Sequence, residues 1–119
     1  MDTKATELEA LRDALREFAA ARDWDQFHSP KNLAMALSVE SAELVEIFQW
    51  LTEAQSHDLP TEARAAAGEE IADVLLYLVR IADKLGIDPV AEARRKLAAN
   101  ERKYPAEKAR GNSKKYTEL

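Results

Sequence analysis

Apolar residues recur at steps of three and four along four stretches of the chain, each bounded by residues that start or stop helices. The first stretch runs from about Thr6 to Arg22 on Leu8, Leu11, Leu15 and Phe18. The segment RDWDQFHSP then breaks the period, and Ser29 before Pro30 supplies an N-cap followed by a first-turn proline. A second helix is expected from Pro30 to about Glu53. After the loop AQSHDLP, Thr61 is expected to cap a third helix that runs to Leu85 and stops at Gly86. Asp88 and Pro89 open a fourth helix that ends just before Pro105. The pattern predicts helices over about 6–22, 30–53, 61–85 and 88–104, with a polar, irregular tail over 105–119. That is an all-α, four-helix chain forming a single domain.

Two helices carry acids where they should be most apolar. At about 100° per residue, Glu40 and Glu43 fall in the arc of Leu33, Ala36, Leu37, Leu44, Ile47 and Leu51. Glu70 and Asp73 likewise share an arc with Ala63, Ala66, Ala67, Val74, Tyr77 and Ile81. Acid pairs three residues apart are common on solvated helix faces, in this case within a chain that is 33% charged; position inside the apolar stripe sets these two apart. Burying one unpaired carboxylate costs several kcal/mol, and a small domain has only about 5–15 kcal/mol of stability in all. Four such groups need neutralising. No Lys or Arg is expected in the arc beside either pair except Lys84 at the far end, which leaves protonation or a divalent cation. Oxygen ligands without His or Cys suit a hard ion, Mg²⁺ first and Mn²⁺ as the other choice, of the kind that works on substrate phosphates.

The third helix is apolar nearly all round, with Ile71, Val74, Leu75, Leu76, Leu78, Val79 and Ile81. A helix of that kind is buried on every side. A four-helix domain has too little interior to wrap it, so a neighbouring subunit is expected to cover one face, making a homo-oligomer.

Length and composition narrow the classes further. The 119 residues suffice for one core. With no cysteine, thiolate metal sites, disulfides and a Cys nucleophile are excluded. Neither a signal-peptide run nor a membrane-spanning stretch is visible, so a cytoplasmic protein without a membrane partner is expected. Charge is divided: residues 1–93 hold 8 basic and 19 acidic side chains, residues 94–119 hold 9 and 3. Such a basic end could clamp a polyphosphate. The net charge of −5 argues against nucleic acid as a partner, because the acidic body repels a long polyanion. Trp24, Phe27 and His28 precede the second helix and Phe48 and Trp50 lie near its far end, where rings could stack on a base.

Taken together, RDWDQFH, VESAELVEIFQW, EEIADVLLYLV and the terminal KYTEL resemble the all-α nucleotide pyrophosphohydrolases of the MazG-like superfamily, nearest the dCTP pyrophosphatase branch. The resemblance spans about Phe18 to Leu119. It implies a four-helix MazG-like bundle assembled as a homotetramer, a dimer of dimers, with sites built from more than one subunit. It also implies Mg²⁺-dependent cleavage of a nucleoside triphosphate between the α and β phosphates, giving the monophosphate and pyrophosphate, with dCTP or 5-modified dCTP as the expected substrate.

By the same resemblance, Glu40, Glu43, Glu70 and Asp73 match the metal-binding acids, Trp24, His28 and Trp50 the residues that enclose the base, and Tyr77 a tyrosine beside the metal. Lys96, Asn100, Arg102 and Tyr104 fall in the segment that meets the phosphates and sugar. Arg110, Lys115 and Tyr116 match the closing tail. Lys31, Glu101 and the short loop from Thr52 to Pro60 depart from the family pattern, which bears on substrate preference rather than on the chemistry. Glu43 is the expected general base, with Glu40 its substitute. The alternatives are a relative acting on dUTP or phosphoribosyl-ATP, and a non-catalytic helical adaptor. A di-iron bundle would need Glu-x-x-His, and neither His28 nor His57 stands three residues after a Glu.

Overall fold

The computed structural model describes residues 6–119, and every described element is helical. Helix α1 (Glu7–Ala21) is followed by a 3₁₀ turn at Asp25–Phe27, α2 (Pro30–Phe48), a one-turn α3 (Glu53–Ser56) and α4 (Thr61–Leu85). Beyond Gly86 come α5 (Pro89–Lys103), a one-turn α6 (Ala106–Ala109) and a 3₁₀ turn at Tyr116–Glu118. The chain divides into two compact units, one ending at Gly86 and one from Ile87 to Leu119.

In the first unit, α4 packs mainly on α2 and also on α1. Its buried centre is small, comprising Ala19, Leu33, Ala67, Val79 and Ala82. Short residues let α1, α2 and α4 approach closely. Each entry and exit has a local cause. The Thr6 hydroxyl accepts from Glu9 N and caps α1. Ser29 Oγ accepts from Asn32 N at 3.1 Å, while Asn32 Nδ2 donates back to the Phe27 carbonyl, locking the approach to α2. Gly86, at φ 65°, closes α4 in the left-handed conformation expected of it.

Two features differ from the sequence pattern. Helix α2 ends at Phe48 rather than near Glu53, because Thr52 and Gln55 form a reciprocal capping box that starts a new turn. Thr61 does not cap α4: Pro60 holds that position without a side-chain bond, and Thr61 is the first helical residue. Within this chain α4 is not wrapped on all sides, which leaves the uncovered face that the sequence pattern anticipates for a single copy. Ile71, Leu75 and Leu78, at steps of four and three, are 56%, 43% and 47% exposed.

The second unit carries most of the basic residues. Asp88 Oδ1 accepts from Val90 N and Ala91 N to start α5, and Tyr104 ends it before Pro105. The Tyr104 and Tyr116 rings meet edge to face at 6.2 Å, with Lys103 Nζ 4.9 Å above the Tyr116 ring. Among the described residues, no helix is long and apolar enough to cross a membrane.

Candidate active site

Glu40 and Glu43 project from α2, and Glu70 from α4, so that one carboxylate oxygen of each lies within 4.8 Å of the others. All three are half-buried, among the residues that join the two helices. Glu40 Oε2 and Glu70 Oε2 are buried with no hydrogen-bond partner. Burial first, and then the neighbouring carboxyl of Glu43, push the Glu70 carboxyl above its ordinary range. The same causes, with Glu70 and Asp73 adding to them, push Glu40 up to about 7. Converging acids with orphaned oxygens form a set that could hold a cation. The residues fit a hard divalent ion, since they offer only oxygen and, among the described residues, none of them forms an ion pair with a basic side chain.

Asp73, one turn after Glu70, stands outside this trio and instead lines a cavity of about 170 Å³. Around it are Phe18, Trp24, His28, Tyr77 and Arg80, with Leu15, Leu33 and Leu76. Trp24 is set edge-on to Phe18 at 5.6 Å and to His28 at 6.3 Å. It is delivered there by the way α1 ends. Asp23 takes a left-handed φ of 54°, and Trp24 N reaches back to the Ala19 carbonyl at 2.9 Å. This is a Schellman ending with Asp in place of the usual Gly, and Gln26 Nε2 steadies it by donating to the Asp23 backbone carbonyl and to Asp23 Oδ2.

Arg80 corrects the expectation that only Lys84 shares the acidic arc of α4. Seven residues after Asp73, it lies at nearly the same azimuth and is 5% exposed. It does not neutralise the glutamates. Its Nη2 donates to Asp25 Oδ1 at 2.7 Å, its Nε to His28 Nδ1 at 3.2 Å, and its Nη1 lies 3.6 Å from Asp83 Oδ2. Lys84 also turns to Asp25. Asp25 is held below the usual carboxylate range by Lys84 first and by Arg80 as well. His28 is held below its ordinary value by burial, then by the charges of Arg80 and Lys84.

The structure therefore joins Glu40, Glu43 and Glu70 in one cluster, and Trp24, His28, Asp73 and Tyr77 around one cavity. Trp50 is not among the cavity residues; it stands 87% exposed just beyond α2. Lys96, Asn100 and Arg102 lie on α5 in the second unit, with Tyr104, Arg110, Lys115 and Tyr116 following. Within that unit the two tyrosines meet, while Lys96, Arg102, Arg110 and Lys115 are exposed.

A profile of the MazG-like family matches residues 35–119. The chain belongs to the MazG-like family. The match takes in both acidic motifs and runs to the last residue. Human dCTP pyrophosphatase 1 is 46% identical over 114 residues, covering 94% of this chain and 67% of its own. The mouse dCTP pyrophosphatase 1 is 45% identical over the same span. A crystal structure of a pyrophosphatase from Archaeoglobus fulgidus superposes with a TM-score of 0.81 at 42% identity, covering 88% of this chain and 98% of that one. The all-α architecture expected from the helix pattern is thus the family's own.

Proposed function

We propose that this MazG-like protein is a Mg²⁺-dependent nucleoside triphosphate pyrophosphohydrolase that cleaves dCTP, or dCTP modified at C5, between the α and β phosphates. The observation that carries this reading is the pair of buried, unpartnered oxygens on Glu40 and Glu70, set in a cluster next to a cavity walled by aromatic rings. Nucleotide pyrophosphohydrolase activity accords with family membership and with the dCTP pyrophosphatases it most resembles among the relatives above.

In this reading Glu40, Glu43, Glu70 and Asp73 hold the cation. When bound, the ion would supply positive charge that offsets that of the triphosphate and would make an attacking water more acidic. Glu43 takes the proton from that water on a carboxylate oxygen, and Glu40 is the substitute. Trp24, His28 and Trp50 enclose the base, with stacking worth about 1–3 kcal/mol per base, and Tyr77 stands beside the cation. Lys96, Asn100, Arg102 and Tyr104 meet the phosphates and sugar, and Arg110, Lys115 and Tyr116 close over them. Such basic groups stabilise charge on the departing pyrophosphate. The whole chain acts as one MazG-like domain in a cytoplasmic homotetramer, for which the exposed Ile71, Leu75 and Leu78 stripe supplies apolar contact surface.

The test is pyrophosphate release from a panel of dCTP, 5-methyl-dCTP, dUTP, the other common triphosphates and phosphoribosyl-ATP, with Mg²⁺ and with chelator. Release from the cytidine nucleotides, dependent on Mg²⁺, supports the proposal. Preference for dUTP or phosphoribosyl-ATP would reassign the substrate, and no release from any nucleotide would favour a helical adaptor.

A further inference from the structure

The buried Arg80 faces the cavity from α4, yet it touches neither the acidic cluster nor, by its hydrogen bonds, anything but Asp25 and His28. A guanidinium stays protonated and only donates. The nitrogen it meets at 3.2 Å, His28 Nδ1, must therefore be the ring's unprotonated acceptor. Neutral imidazole then carries its single proton on Nε2. Protonating Nδ1 would break this bond and set two cations against each other. Asp25, whose Oδ1 accepts from both Arg80 Nη2 and Lys84, holds the guanidinium in place, and Asp83 backs it from the other side.

We propose that Arg80 is a positioning residue that locks His28 as the neutral Nε2–H tautomer, so that this nitrogen is a fixed hydrogen-bond donor favouring a pyrimidine whose N3 accepts. The selectivity follows from elementary base chemistry. Cytosine presents an unprotonated N3 acceptor, whereas uracil and thymine present N3–H, which repels a donor. A histidine free to change tautomer would accommodate both. This assignment rests on the reading of the cavity as the base site, but the tautomer itself does not depend on any nucleotide.

The experiment has two arms. Long-range ¹H–¹⁵N correlation spectra of the nucleotide-free ¹⁵N-labelled protein at pH 7 report the protonation of each imidazole nitrogen. The chain has two histidines, and the exposed His57 serves as the internal reference. His28 is expected to show a bare Nδ1 and a protonated Nε2, and Arg80→Met is expected to add signal from the Nδ1–H form. An Nδ1–H tautomer or an imidazolium in the wild type would overturn the proposal, and needs no variant to be seen. So would an unchanged His28 spectrum in folded Arg80→Met.

The second arm compares KM and kcat for dCTP and dUTP. Losing the fixed donor is expected to raise KM for dCTP by about threefold to tenfold, with a smaller change in kcat, and to narrow the dCTP-to-dUTP preference by a similar factor. Unchanged preference alongside an altered tautomer would overturn the selective role. If wild type hydrolyses neither nucleotide while the tautomer is as stated, the base-site reading fails and the Arg80–His28 lock stands.

Discussion

Glu40 on α2 and Glu70 on α4 each bury a carboxylate oxygen that no donor reaches, and both belong to one cluster with Glu43. In the metal-free protein that arrangement works against folding. The Glu40 carboxyl is raised from 4.5 to about 7, so the folded chain retains a proton that the unfolded chain has already released. Stability from this group is present below about pH 4.5 and is lost as pH rises toward 7. With chelator present, Glu40→Gln is therefore expected to raise Tm at pH 7 and to flatten the decline between pH 4.5 and 7. Thermal unfolding at several pH values checks this; a lower Tm for the variant at pH 7 would contradict it.

Arg16 and Asp83 make the opposite kind of contact. The guanidinium donates through Nε at 2.7 Å and Nη2 at 2.5 Å to the two oxygens of Asp83, fastening α1 to α4. Arg16 is the main cause that holds Asp83 below its ordinary value of 3.8. A lowered acid stabilises the fold above the unfolded value and loses that contribution as pH falls through the folded value. Asp83→Asn is expected to cost about 1–3 kcal/mol at pH 7, and the gap to wild type should begin to narrow below pH 3.8 and close as pH falls through the lowered folded value. Urea unfolding at pH 7 and at a series of pH values descending from 3.8 follows the change.

How much of this was legible in the sequence depends on the kind of signal. The acidic clusters could be read because a carboxylate inside an apolar stripe contradicts helix periodicity, and Ser29, Pro30, Gly86, Asp88 and Pro89 mark helix ends by their own chemistry. Asp23 was not legible: a left-handed C-terminal residue announces itself as Gly, and here it is Asp. Arg80 was missed because it follows Leu78 and Val79 in a greasy run, and its burial depends on Asp25, 55 residues away. Trp50 is assigned to the base by the family resemblance rather than by its own spacing, and the early stop of α2 leaves it on the surface of this chain.

Trp50 offers a separate check. Its 87% exposure means that truncation removes little packing, so Trp50→Ala should change chain stability by no more than about 0.5 kcal/mol. If it encloses the base in the assembled enzyme, KM should rise by about fivefold or more from lost stacking. Steady-state kinetics beside a melting curve separates these effects. A large stability loss with unchanged KM would make it a structural residue.

The exposed stripe on α4 predicts an assembly phenotype. Replacing Leu75 by Glu puts a charge in the centre of Ile71, Leu75 and Leu78 without touching the buried Val79 or Ala82. The helical content should persist while the particle mass falls, as read by light scattering coupled to gel filtration. An unchanged mass would remove this face from the subunit contact.

The most direct test of the account is calorimetric titration of Mg²⁺ and Mn²⁺ into the chelator-treated protein, for wild type and for the Glu40→Gln, Glu70→Gln double variant. Saturable binding to wild type and none to the folded variant is the predicted result. Equal binding to both, or none to wild type at millimolar Mg²⁺ or Mn²⁺, would contradict the claim that these buried acids exist to hold a divalent ion.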